Sequence, residues 1–240
     1  LDGDAIVIVG DTLIIEPGSV IGLGASFEIR IEGTLLADSA TFNQGGSIFS
    51  SAGFVRFSNC QFRSLQGGIT FWGGSGKVDH CTIDRTSETG ITFRETDSSS
   101  VRNSRISHSG DYGIKISQTD EVDVTDNLIS GNSTHDFNHP ALFIDSGSPQ
   151  VIRGNIIEDN HGQGIGVWTL TETAAPRIEQ NIVRRNFTGI TLVNAPAHIE
   201  NNIIVANYQQ GNANSGAGIY AGYPSSQGVV MRNYIAGNYY

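Results

Sequence analysis

Helical periodicity is missing from this chain: no run keeps apolar residues at i, i+3, i+4 and i+7 for longer than one turn. A core built from helices is thereby excluded. No apolar run reaches the length of a membrane-spanning helix, so membrane insertion is not expected. No secretory leader is evident, and the chain starts directly in strand-like sequence, as a mature or trimmed product would. Basic residues are scarce. Lysine occurs twice, at Lys77 and Lys115, and 14 basic residues face 24 acidic ones for a net charge of −10. That balance argues against nucleic acid and anionic membrane as partners. It suits neutral glycans, or acidic glycans bound through cations. Cysteine also occurs twice. Cys60 and Cys81 fall one repeat apart, with Cα atoms expected about 5 Å from each other, inside disulfide range. Two buried thiols are the alternative, because free cysteine is commonly buried.

What the chain has in abundance is glycine, 30 residues in all, and a repeated unit. Asn127-Leu-Ile-Ser-Gly-Asn132, Asn155-Ile-Ile-Glu-Asp-Asn160, Asn181-Ile-Val-Arg-Arg-Asn186, Asn202-Ile-Ile-Val-Ala-Asn207 and Asn233-Tyr-Ile-Ala-Gly-Asn238 are five copies of it. An apolar column precedes it: Ala37, Phe57, Val78, Val101, Val124, Ile152, Ile178, Ile199 and Val230. Three residues on, a second column reads Ala40, Cys60, Cys81, Ser104, Asn127, Asn155, Asn181, Asn202, Asn233. A further strand follows in each coil, with inward pairs such as Ile91/Phe93, Ile114/Ile116 and Ile165/Val167. Residues two apart face one side of a strand. Repeats at this spacing predict stacked coils of parallel strands with glycine- and asparagine-rich corners. Asparagine is expected to adopt the left-handed conformation at those corners and to bond the asparagine of the next coil.

These Asn-x-Ile-x-x-Asn units resemble the right-handed parallel β-helix repeat family, the pectate-lyase-like group with carbohydrate-binding and sugar-hydrolase type repeats. The likeness covers about residues 37–240. The opening, Leu13-Ile-Ile-Glu-Pro-Gly18 and Ile31-Glu-Gly-Thr-Leu-Leu-Ala37, is similar to the entrance coils of many secreted and surface β-helices. The resemblance implies an all-β, right-handed solenoid of about ten coils. We expect one domain over 1–240, with entrance coils to residue 36 and Asn-ladder repeats from 37. Activity is not implied, since the family spans lyases, hydrolases, epimerases, adhesins and spacers.

Two coils carry insertions at the same corner. Leu142 lies 13 residues after Ile129, and Ile219 lies 15 after Ile204. The 130–141 and 205–218 loops should therefore stand beside the strand whose outward residues alternate as Thr70, Thr92, Lys115, Phe143, Gly166, Thr191, Tyr220 and as Trp72, Arg94, Ser117, Asp145, Trp168, Val193, Gly222. Aromatic residues with charges between them suit a sugar chain, so Trp72, Arg94, Phe143, Trp168 and Tyr220 are candidate substrate-binding residues. An ordinary solvated sheet face is the plain alternative. His108, His135, His139 and His161, with Asp111, Asp136 and Asp159, are expected at the groove edge. Histidine is an acid/base or metal ligand near neutral pH, but the spacing matches no zinc signature, and no metal ligands are assigned.

In lyases of this fold, the resemblance implies a Lys or Arg base, often with calcium held by acids, so calcium is the one cofactor left open. Lys115, Asp145, His139 and His161 are the candidate catalytic residues. Hydrolysis needs two carboxylates at a set separation. Asp145 is the one acid in the outward rows, which favours lyase or epimerase over hydrolase, and no nucleophile elbow supports a serine triad. The reading is an extracellular or cell-surface protein that binds or processes a polysaccharide. The competing reading is a non-catalytic structural, adhesive or filament-forming module, able to associate end to end or to carry further domains in a longer chain.

Overall fold

The computed structural model describes residues 3–119, 121–147, 150–168, 175–208, 216–222, 226 and 228–239. Among them there is no helix, and every strand pairing is parallel. Three sheets of ten strands each run the length of the chain, each sheet taking every third strand. The first sheet contains Gly68–Trp72, Ile91–Arg94, Ile114–Thr119, Leu142–Gly147, Ile165–Trp168, Ile190–Val193 and Ile219–Gly222. The second includes Val122–Thr125, Val151–Arg153 and Arg177–Glu179, and the third Leu128–Ser130, Ile156–Glu158 and Ile182–Arg184.

The core follows from the apolar columns. Ala37, Phe57, Val78, Val101, Val124, Ile152, Ile178 and Ile199 pair in register down the second sheet and are buried. Phe42, Phe62, Ile83, Ile106, Ile129, Ile157, Val183 and Ile204 do the same in the third. Identical positions stack like on like, so aromatic layers form by themselves. Phe42 and Phe62 stack at 4.8 Å, and Phe71 and Phe93 at 5.0 Å. Fully burying one such side chain contributes roughly 1.5–3 kcal/mol.

The corners depart from expectation in one respect. The left-handed residue is the one before each column asparagine: Asp126 (φ 56°), Gly154 (69°), Gln180 (60°), Asn201 (57°) and Arg232 (55°). The asparagine itself turns inward and satisfies what the corner exposes. Asn127 Oδ1 accepts from Ser104 N–H at 2.9 Å, and Asn127 Nδ2 donates to Val101 O and Asn155 Oδ1. The pattern repeats through Asn155, Asn181, Asn202 and Asn233. A second file joins Asn132, Asn160, Asn186, Asn207 and Asn238 in the same way. Burial is affordable for these amides because their bonds are made. Asn132 and Asn186 begin glycosylation-type triplets, yet they are 0% and 1% exposed and committed to these files.

Cys60 and Cys81 are free and buried, the second of the two expectations.

Candidate functional site

The strand register sets the outer face of the first sheet. Thr70, Thr92, Lys115, Phe143, Gly166, Thr191 and Tyr220 are consecutive partners, and so are Trp72, Arg94, Ser117, Asp145, Trp168, Val193 and Gly222. At about 4.8 Å per strand, Trp72 and Trp168 stand about 19 Å apart along the axis.

The 130–141 loop does not stand beside this face; it lies across it. Three glycines seat it. A Cβ on Gly166 would come 2.2 Å from Pro140 Cγ, one on Gly162 2.0 Å from His139 O, and one on Gly110 2.4 Å from the His135 ring. Phe137 of the loop packs against Phe187 at 5.3 Å. Of the 205–218 loop, residues 209–215 lie outside the described residues.

Beneath the strap an aromatic file crosses the sheet. His139 stacks on Tyr112 at 4.6 Å, Tyr112 on Phe143 at 5.1 Å, and Phe143 meets the edge of Trp168 at 5.0 Å. Lys115 Nζ sits 5.2 Å from the Tyr112 ring centre and 5.9 Å from that of Phe143, within cation–π range. Phe143, expected as a sugar platform, is 4% exposed and forms the floor on which Tyr112 and Trp168 rest. Tyr112 was not singled out by its sequence. It lies in Gly110-Asp111-Tyr112-Gly113, where a Cβ on Gly110 would meet the His135 ring and one on Gly113 the Ala141 carbonyl.

Charge surrounds this file. Asp111 Oδ1 lies 3.4 Å from His135 Nδ1 and 3.5 Å from His139 Nδ1, and His139 Nε2 lies 3.9 Å from Asp136. The buried His139 Nδ1 has no hydrogen-bond partner among the described residues. Burial raises the Tyr112 pKa, and the carboxylates of Asp111, Asp136 and Asp145 raise it further by opposing a phenolate. The tyrosine therefore holds its proton at neutral pH.

Other expected members sit elsewhere. His108 Nδ1 bonds Asp84 at 2.8 Å, and Asp159 is held by Arg185 through two contacts of 2.6 Å. His161 is exposed and outside the aromatic file. Trp72 and Arg94 form a separate group toward the first coils. Arg94 lies 4.4 Å over the Trp72 ring, Glu95 accepts from Trp72 Nε1 at 3.3 Å, and Phe49 meets Trp72 at 6.2 Å. Tyr220, 48% exposed, stands about 10 Å beyond Trp168 by strand spacing. The charged cluster does not fit calcium: Asp111 faces two imidazoles, and among the described residues no three His, Cys, Asp or Glu are arranged to hold a metal ion. Calcium needs six or more oxygens.

A stack of parallel coils with three sheets, buried asparagine files and a strapped outer face defines a parallel β-helix. The right-handed beta helix region family matches residues 19–175 and 67–238, and the chain belongs to it. Among solved structures, it is similar to a point mutant of the periplasmic alginate epimerase AlgG, at 11% identity and a TM-score of 0.76, covering 97% of this chain and 77% of that one. It is also similar to tailspike protein 2 of Escherichia coli O157:H7 bacteriophage CAB120, at 11% identity and a TM-score of 0.55, covering 91% of this chain and 37% of that one. At such identities the likeness is one of fold. A search of curated proteins finds no match.

Proposed function

We propose that this protein, a single-domain β-helix over 1–240, binds a polysaccharide across the outer face of its first sheet and processes it at the strap. The observation that carries this is the convergence of Tyr112, Lys115, Asp145 and Trp168 beside the loop that carries His139, in line with Trp72, Arg94 and Tyr220. β-Elimination or C5 epimerisation of a uronan needs a base for the C5 proton, a cation for the carboxylate, and an acid. Lys115 supplies the cation or the base, the His139 imidazole between Asp111 and Asp136 a base, and the protonated Tyr112 an acid. Asp145 and Trp168 bound the sugar site, while His161 flanks it from the exposed corner. Trp72 with Arg94, and Tyr220, are outer subsites.

The alginate named for the periplasmic epimerase supports a glycan partner, and a periplasmic enzyme and a phage tailspike as neighbours are in keeping with an extracellular or cell-surface location. A panel of acidic and neutral polysaccharides tests the reading. Saturable binding together with an unsaturated, ultraviolet-absorbing product, or a change of uronate epimer, is expected. If neither binding nor conversion occurs with any member, the non-catalytic structural module, with self-association or further domains, takes its place.

A further inference from the structure

We propose that Cys60 and Cys81 are a disulfide-forming pair that staples two adjacent coils when the protein meets a two-electron oxidant. The argument starts from the asparagine file. In each coil the backbone N–H at this position donates to the side chain of the coil that follows: Asn127 N–H to Asn155, Ser104 N–H to Asn127, Cys81 N–H to Ser104 Oγ at 3.0 Å. Thr82 N–H donates to Cys60 O at 2.9 Å and Arg105 N–H to Cys81 O at 2.9 Å, as Leu128 N–H does to Ser104 O, so the cysteines occupy the same position in stacked coils. The register thus places the two buried side chains one above the other in adjacent coils. Each also lies against the carbonyl two residues earlier in its own coil, Cys60 Sγ 3.2 Å from Ser58 O and Cys81 Sγ 3.3 Å from Asp79 O, so the two side chains have the same setting.

Adjacent parallel strands are about 4.8 Å apart, and a disulfide joins Cα atoms 4.4–6.8 Å apart, so closure needs no backbone movement beyond the corner. The contact between the thiols lowers the Cys60 pKa and raises that of Cys81. A thiolate of the pair attacks, and the neighbouring thiol resolves. Both are 1–2% exposed, which favours a small oxidant. With hydrogen peroxide, the thiolate of one cysteine displaces hydroxide from the peroxide oxygen and becomes a sulfenic acid. The sulfur of the other cysteine then attacks that sulfur, and water leaves. Two thiols and one peroxide give one disulfide and two waters.

The experiment uses the whole chain, freed of reductant, treated with hydrogen peroxide, then denatured and alkylated. Alkylation falls from two sites to none, a linked Cys60–Cys81 peptide pair is recovered, and the urea midpoint rises until reductant restores it. Cys81→Ser keeps the file, as Ser104 does one coil on, and accumulates a dimedone-trapped sulfenic acid at Cys60 that the parent does not. Two alkylatable thiols after oxidant, or a parent that stops at sulfenic acid, overturn the proposal.

Discussion

Replacing Asn181 with alanine removes four hydrogen bonds at once. Its Nδ2 donates to Ile152 O at 2.9 Å and to Asn202 Oδ1 at 3.0 Å. Its Oδ1 accepts from Asn155 N–H at 2.9 Å and Asn155 Nδ2 at 3.0 Å. The partners do not suffer equally. Asn155 Nδ2 keeps Val124 O, and Asn202 Oδ1 keeps the Asn181 N–H. The buried Asn155 N–H loses its acceptor, which costs about 1–3 kcal/mol, and each other lost bond adds about 0.5–1.5 kcal/mol before relaxation. A net loss of about 3 kcal/mol is expected, or about 1 M in urea midpoint for a slope near 3 kcal/mol/M. Serine at the same position keeps an acceptor for Asn155 N–H, as Ser104 does for Cys81, so Asn181→Ser falls between alanine and the parent. Chemical denaturation followed by circular dichroism reads all three against the exposed control Glu121→Ala. Equal midpoints for Asn181→Ala and the control would refute the claim that buried amide files hold the coils together.

Gly166→Ala drives a methyl into Pro140, and hydrogen exchange should show faster exchange in residues 131–141 while the strands around it stay protected. Lys115→Ala should abolish product formation with an unchanged melting temperature, whereas Trp168→Ala should weaken retention of the polysaccharide about tenfold. Phenolate absorbance should reveal a tyrosine titrating above the ordinary value in the parent, and Asp136→Asn should move that titration down by removing one opposing carboxylate. Asp159 has a lowered pKa because Arg185 donates to it, so the pair stabilises the fold above the unfolded carboxylate value near pH 4 and loses that contribution as pH falls through the lowered one. Melting temperatures of Asp159→Asn should accordingly fall less steeply than the parent's on acidification below about pH 4.

The fold was legible because a solenoid writes its core as columns. Val101, Val124, Ile152 and Ile178 could be aligned by eye, and the register pairs them as aligned. The two outward rows followed from alternation alone. The left-handed corner residue did not, because Asp126, Gln180 and Arg232 share a backbone angle and no side-chain chemistry. Nor did the strap. Whether an insertion stands up or lies down depends on small residues beneath it; Gly110 and Gly162 read as corners, and Gly166 as one more outward strand residue, until His135, His139 and Pro140 are seen seated on them. Tyr112 was hidden for the same reason, since its partners His139 and Phe143 come from the strap and the next coil. His108 and Asp159 shared the right corner, but each points to a partner on the third-sheet side, Asp84 and Arg185, and that choice is one of side-chain direction.

The most direct test of the account is a crystal structure of the protein with an oligosaccharide from the polysaccharide it retains. The account predicts sugar density across the first sheet, with one ring bounded by Tyr112, Lys115 and Trp168 under the 131–140 strap and neighbouring rings toward Trp72 or Tyr220. Sugar density confined to the second or third sheet, with the strap face empty, would contradict it.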